Sequence, residues 1–384
     1  MLQLCVSQQH NDIPFLFRTT GIRVFSFEEA LYHVFHYWRE SMDDFLSESM
    51  ITWVSELGLS FLASKIKEIA DNGSFSRRVI GFLQLADYFA DHEITSINEA
   101  LISWEKRLEW EKLKERADYL IQRGEPGKAL PLYKQALLLE ENTALLNNIS
   151  IAYMQLSAMQ DALQYLTRAI ELDSDNISLM LHYTEAAIMG HQFDAAESML
   201  AKAAKTAAPQ NADIPFLQGL MAFEQNNYNC ALKFFDTAIE LAPGEPYYAY
   251  KAADTHRTMH QYDKALAVLD GIKPKNAVTY VKEAEIHAAA GNITAALHCM
   301  RLATSGHGAQ NADLWATLAK YYRKNNDWKH AESAINHALE LAPDNDRVRL
   351  ESARIKKGLG RTREYQTELG NVLRGFRERY RTES

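Results

Sequence analysis

Residues 312–343 read ADLWATLAKYYRKNNDWKHAESAINHALELAP. In this stretch Trp328 stands three residues before Ala331, Ile335 four after it, Ala338 seven after it, and Pro343 closes the run. The same frame recurs upstream. Alanines stand at Ala129, Ala162, Ala196, Ala231, Ala265, Ala296 and Ala331, with successive gaps of 33, 34, 35, 34, 31 and 35 residues. A bulky residue follows each by four (Tyr133, Leu166, Leu200, Phe235, Leu269, Met300, Ile335), and usually a second alanine by seven (Ala136, Ala169, Ala203, Ala238, Ala303, Ala338). An aromatic or apolar residue usually precedes by three, as at Phe193, Tyr228, Tyr262 and Ile293. Such a period specifies a stacked array, because one unit of this size cannot bury its apolar face without its neighbours. Arrays present extended surfaces and seldom build catalytic pockets.

Each unit reads as two helical stretches separated by a turn, marked by Gly124, Gly190, Asn226-Asn227, Gly291 and Asn325-Asn326. Pro209, Pro243, Pro274 and Pro343 end units, since proline lacks the N–H a helix needs and clashes with the preceding turn. The alanines have a mechanical reason: antiparallel helices approach closely only where side chains are short.

This pattern resembles the tetratricopeptide repeat (TPR) family, whose units carry a small residue at position 8, an aromatic or Leu at 11, Ala at 20, a bulky residue at 24, Ala at 27 and often Pro at 32. The seventh unit matches with Trp315, Leu318, Ala319, Tyr322, Ala331, Ile335, Ala338 and Pro343. The fourth matches with Gly219, Ala231, Phe235, Ala238 and Pro243, and the second with Ile149, Ser150, Tyr153, Ala162, Leu166 and Ala169. The fifth and sixth depart, with His256 and His287 at position 11 and Ile272 where the late alanine belongs. The resemblance implies an all-α fold: a right-handed α-solenoid of TPR helix pairs, preceded by a small helical domain with short extended segments at its start. It is of the kind found in bacterial TPR proteins with helical leaders of unknown role.

The expected organisation is an N-terminal helical domain over 1–96, a connecting helix over 97–109, seven units over 110–345, and a degenerate eighth unit with a basic cap over 346–384. In the N-terminal part, Leu2 to Val6, Phe15 to Phe17 and Ile22 to Val24 alternate as short strands do. Ser26 with Glu29 is a capping box that starts a helix, and further helices are expected near 43–57, 59–71 and 75–91. Ser96 with Glu99 makes a second box, whose helix is expected to run from 97 to 123 through the charged stretch EKRLEWEKLKER as a solvated connector. The short step of 31 between Ala265 and Ala296, with Gly271 and Pro274 inside it, is expected to change the pitch near 271–277.

The 384 residues carry a net charge of -9 and 47% hydrophobic residues, an ordinary soluble composition that argues against nucleic-acid binding over the whole surface. From Asp346 to Ser384, however, eleven Lys/Arg face six Asp/Glu, a local +5. Three widely spaced cysteines, Cys5, Cys230 and Cys299, fit a reducing cytoplasm without a disulfide frame. The leading residues lack a basic and apolar secretory signal, and the run ending at Cys5 lacks the signal helix of a lipoprotein. No run reaches the ~20 apolar residues of a membrane span.

No catalytic constellation is readable, and no cofactor or metal is implied. Gly124-Glu-Pro-Gly-Lys128 has the wrong glycine spacing for a phosphate loop and no hydroxyl after the lysine. Gly306-His-Gly308 is a lone loop. His256 and His260 are four apart on an expected helix, and His33 and His36 three apart, but no carboxylate or thiol completes a ligand set.

By the resemblance, the first helix of each unit lines a concave groove. The early lining is Lys114, Asp118, Asn147, Ile151 and Met154. The middle is Leu181, Glu185, Ile188, Met189, Phe216, Leu220, Phe223, Tyr247, Tyr250, Asp254 and Glu285. The last units give Lys320, Arg323, Lys324, Arg347, Arg354 and Lys357. The expectation is a non-enzymatic scaffold that binds another protein or peptide segment, with an apolar stretch and an acidic portion, in this groove. The alternatives are a chaperone-type or enzyme-accessory subunit, and a nucleic-acid-binding regulator using the basic end. Some TPR domains clamp an acidic chaperone tail with Lys and Asn. Lys114 and Asn148 occupy such slots here, but Asp118, Ser178 and His182 fill the others, and an acid there repels a carboxylate.

Overall fold

The computed structural model describes residues 14–208, 210–343 and 345–381, apart from the side chains of 307, 371 and 374–381. Leu2 to Val6, Cys5 and Pro209 lie outside the described residues. The chain is an all-α solenoid of helix pairs behind a helical leader. It divides into two compact halves, residues 1–186 and 187–384.

The first half opens with a hairpin of β1 (Phe15–Phe17) and β2 (Ile22–Val24), paired antiparallel with Phe15 opposite Val24. There follow α1 (Phe27–Tyr37), α2 (Glu48–Glu56), α3 (Ser60–Asp71), α4 (Phe75–Leu83) and α5 (Asp91–Glu105). Ser26 Oγ accepts the Glu29 N–H at 3.3 Å and caps α1, while Glu29 reaches past the cap to the Phe25 N–H, one residue before the Ser26 N–H of the expected capping box. A single apolar cluster from Phe15 to Trp104 fills this region, rich in Phe27, Trp38, Phe45, Trp53 and Phe82.

The array follows as α6 (Glu109–Gln122) with α7 (Pro126–Leu139), α8 (Thr143–Gln155) with α9 (Met159–Leu172), and α10 (Ile177–Met189) with α11 (Phe193–Thr206). The second half, which begins within α10 and holds α11, continues as α12 (Asp213–Glu224) with α13 (Tyr228–Leu241), α14 (Pro246–Thr258) with α15 (Tyr262–Asp270), and α16 (Ala277–Ala289) with α17 (Ile293–Ala303). The last pairs are α18 (Ala312–Lys324) with α19 (Trp328–Leu341) and α20 (Asp346–Gly358) with α21 (Thr362–Arg381). All seven ladder alanines and all six of their partners at +7 are fully buried. Gly219 shows why the facing positions must be small: a Cβ there would lie 2.5 Å from the Phe235 ring.

One device closes every pair. The residue five before the ladder position has a left-handed backbone in all eight repeats: Gly124, Ser157, His191, Asn226, His260, Gly291, Asn326 and Gly360, with φ between 55° and 82°. The next N–H then bonds the carbonyl five residues back, as from Glu125 to Leu120 at 2.8 Å and from Asp327 to Tyr322 at 2.9 Å. This 6→1 bond is the Schellman motif, which satisfies a carbonyl stranded at a helix end.

Three expected helices differ. The one expected at 43–57 starts only at Glu48, where Ser47 Oγ accepts the Met50 N–H at 3.2 Å. The one expected at 75–91 ends at Leu83, and Ala90 starts a new helix by donating its N–H to Glu93 at 2.9 Å. Ser96 therefore lies inside α5, and the connector expected over 97–123 is broken at 106–108. There the Leu108 N–H bonds Glu111 Oε2 at 2.9 Å, so a carboxylate starts α6 afresh.

Candidate functional site

The first helices α12, α14, α16, α18 and α20 belong to the second half, where α14 packs on α16 and α18 on α20. The residues expected to face the groove separate into three groups. Met189 and Tyr247 are exposed, and Leu220 and Phe223 are half-buried, so these four keep some apolar surface open to water. Leu181 and Glu185, on the part of α10 that belongs to the first half, are half-buried. Phe216 and Tyr250 are buried at 5% and 8% exposure. The Phe216 ring packs 5.1 Å from Tyr247 and 4.9 Å from Tyr248. The Tyr250 hydroxyl meets Thr279 Oγ1 at 2.9 Å and Asn276 Oδ1 at 3.2 Å on the next repeat. Both are inter-repeat packing residues: one helical turn from the open row, the side chain points at the neighbouring first helix.

The charges are paired both within a first helix and from one first helix to the next. Asp254 takes Lys282 Nζ at 2.8 Å and Arg257 at 3.4 Å, and Lys282 lies 3.6 Å from Glu285. Arg323 Nε donates to Glu351 Oε1 at 2.7 Å and Arg354 Nη1 to Glu351 Oε2 at 3.1 Å. Glu351 is buried, so these two arginines offset its desolvation. Lys320 and Lys324 are exposed, the latter 5.9 Å above the Tyr321 ring, and Lys357 lies over Tyr365 at 5.6 Å. Arg347 is exposed, 3.4 Å from Thr317 Oγ1 and 3.9 Å from Asp313. The open basic charge of this face is therefore carried by the lysines, Arg347 and the exposed Arg354.

In the first half, Asp118 accepts from Lys114 at 2.7 Å, Tyr133 at 2.6 Å and Asn148 at 2.8 Å. Burial, and then the Asp118 hydrogen bond, hold the Tyr133 phenol well above its ordinary range. The two residues that could clamp an acidic tail, Lys114 and Asn148, already hold an internal carboxylate. Asn147 Oδ1 is spent on His182 Nδ1 at 2.7 Å.

His256 and His260 do not share a helix, because α14 ends at Thr258 and His260 is the left-handed turn residue. Their rings bond Gln261 and Tyr262 at 2.9 Å each. His33 is buried against Phe17 and bonds Thr20 Oγ1 at 3.0 Å. Among the described residues no three His, Cys, Asp or Glu side chains could hold a metal ion together. No helix among them is long and apolar enough to cross a membrane. The Cys299 thiol is buried 3.9 Å from Glu283, and burial pushes it up to about 11, away from the thiolate that reactivity requires.

Two features escaped the sequence reading. The eightfold left-handed turn had a signal, since Gly or Asn fills five of its eight positions, but Ser157, His191 and His260 obscured it. The buried Glu351 and Glu283 had none, because a carboxylate on a first helix reads as solvated until its partner on another element is known.

Tetratricopeptide repeat profiles match residues 114–177 and 186–246, 153–214, and 312–355. Over 163 residues the chain is 27% identical to the BBSome complex member BBS4 of Bos taurus, covering 41% of this chain and 31% of that protein. The chain thus spans about a third of that relative's length. Among solved structures, a tetratricopeptide repeat protein of Parabacteroides merdae is 18% identical, with 63% of this chain and 97% of that chain covered and a TM-score of 0.41. A chain of the APC/C hetero-tetramer Cut9-Hcn1 is 16% identical, with 90% and 68% covered and a TM-score of 0.42.

Proposed function

Because the chain is a tetratricopeptide repeat protein, a class of protein-interaction module, we propose that it is a non-enzymatic scaffold that holds a partner polypeptide on the face of its first helices. The observation that supports this reading is the exposure of first-helix side chains in residues 187–384. Met189, Leu220, Phe223 and Tyr247 keep apolar surface open to water, and Lys320, Lys324 and Lys357 follow with open positive charge. Half-exposed aromatic and aliphatic anchors beside a charged rim suit a peptide ligand, since anchors supply affinity and charge supplies register. The partner segment then has an apolar stretch followed by an acidic one. In the family this face is the concave one. The bovine relative's name, a member of a complex, supports an assembly role. A cytoplasmic location belongs to the same reading and rests on the buried, unreactive Cys299 and the wide cysteine spacing.

Affinity capture from the native cell, with crosslinking to identify the contacting residues, provides the test. Met189→Asp with Tyr247→Ser, and separately Lys320→Glu with Lys324→Glu, should each lower recovery of the crosslinked partner at least tenfold while the melting curve stays put. Undiminished recovery by both variants overturns the proposal. Phe216→Ala and Tyr250→Ala are expected to behave differently, costing roughly 3 kcal/mol of stability each by removing buried rings.

A further inference from the structure

The leader carries a second surface that the array's face does not use. Five rings touch in unbroken succession across α1 and the turn after α4. Tyr32 lies 4.2 Å from His36, His36 5.1 Å from Phe35, Phe35 4.4 Å from Phe89 in a stacked pair, and Phe89 4.9 Å from Tyr88. The middle pair, Phe35 and Phe89, is partly buried against the leader's apolar core, which makes the strip rigid. The flanking Tyr32 and Tyr88 are each 38% exposed, and His36 is exposed. Water-facing rings in contact form a ridged apolar track rather than scattered exposed residues.

Exposed acids border this track at its Tyr88 end. Glu28 precedes Tyr32 by one helical turn, but it is half-buried, with its Oε2 shielded from water. Asp87 adjoins Tyr88, and Asp91 starts α5 two residues after Phe89. Arg39, two residues beyond α1, is engaged with Glu115 at 3.0 Å and lies over the Trp38 ring at 4.2 Å.

We propose that this strip docks a proline-rich segment bearing Lys or Arg. Proline rings lie flat on tyrosine and phenylalanine faces, and a polyproline helix is already extended, so it loses little entropy on binding. Cationic side chains on the same segment meet the exposed Asp87 and Asp91, and these acids repel nucleic acid and acidic peptides. The leader thereby gives the scaffold a second recognition site with charge preference opposite to that of the lysine end of the array.

The probe is a fluorescein-labelled twelve-residue peptide alternating Pro-Pro-Lys, titrated with the full chain by fluorescence anisotropy. Two control peptides replace every Pro with Ala or every Lys with Glu. The expected result is saturable binding of the Pro-Pro-Lys peptide, at least tenfold weaker for either control. Tyr32→Ala and Tyr88→Ala should each weaken it at least fivefold, and Asp87→Lys with Asp91→Lys at least tenfold, with unchanged far-UV melting curves. Equal binding of the alanine control reduces the effect to bulk charge and overturns the proposal. So does the absence of saturable binding, or a self-association of the chain that Tyr32→Ala abolishes, which assigns the strip to a second copy.

Discussion

Ser157, His191 and His260 hold the left-handed backbone position that Gly124, Gly291 and Gly360 fill elsewhere. A side chain in that conformation costs about 1 kcal/mol or more, partly offset by glycine's greater freedom in the unfolded chain. Ser157→Gly and His191→Gly are therefore expected to stabilise the fold by roughly 0.5–1 kcal/mol each, read as a higher urea midpoint. Gly291→Ala should destabilise it by about 1 kcal/mol through backbone strain alone, since a Cβ there meets nothing within 4 Å. His33 makes a pH-dependent contribution. Burial, then the Arg123 and His36 charges, lower its pKa from 6.5 to about 4. The unfolded chain thus takes up a proton that the folded one refuses between these values. Stability from this group is whole above pH 6.5 and falls toward pH 4, by about 3 kcal/mol over the window. Glu40, whose carboxyl burial raises, acts in the opposite sense. The difference between wild type and His33→Gln isolates the histidine: the variant should lose the decline below pH 6.5, and parallel pH curves would contradict the assignment.

The second helices show how an array absorbs an irregular unit. α15 has 9 residues where α13 and α19 have 14, and residues 271–276 replace its missing turn. That loop is tied down by Lys275, whose ammonium sits 2.6 Å from Asp270 and 2.5 Å from the buried Glu283 on α16. Removing the lysine strands a buried carboxylate. Lys275→Met is expected to cost about 2–4 kcal/mol, and adding Glu283→Gln should restore most of it. A double variant no better than the single would refute the strut. The short step between Ala265 and Ala296 was legible in the sequence, because deletion of a helical turn leaves a gap in any periodic count. The strut was not, since Lys275 and Glu283 look like ordinary surface charges along the chain. Helix boundaries in the leader were also obscure. Both α5 and α6 start on a glutamate reaching back to an apolar residue's N–H, whereas Ser96 with Glu99 imitates a cap inside α5.

The repeat array could be read from one periodic residue type because its stability is a sum of neighbour contacts, each demanding the same small side chain at the same crossing. The ladder alanines and their +7 partners are buried at every repeat they mark. The candidate surface was only half legible. Periodicity identifies the face of a helix but not which of two adjacent rows meets the next repeat, so Phe216 and Tyr250 were grouped with Leu220 and Tyr247. Ionic pairing between repeats was invisible for the same reason, and it engages Asp254 with Lys282 and Arg323 with Glu351. The most direct test of the scaffold proposal is site-specific photo-crosslinking in the native cell, with the probe placed at Met189, Leu220 or Tyr247 on first helices, and at Leu241 or Leu302 on second helices. The account predicts one polypeptide crosslinked from the first-helix positions only, and its loss when Lys320 and Lys324 are reversed to Glu. The same polypeptide crosslinked from Leu241 and Leu302, with none from Met189, Leu220 or Tyr247, would contradict it.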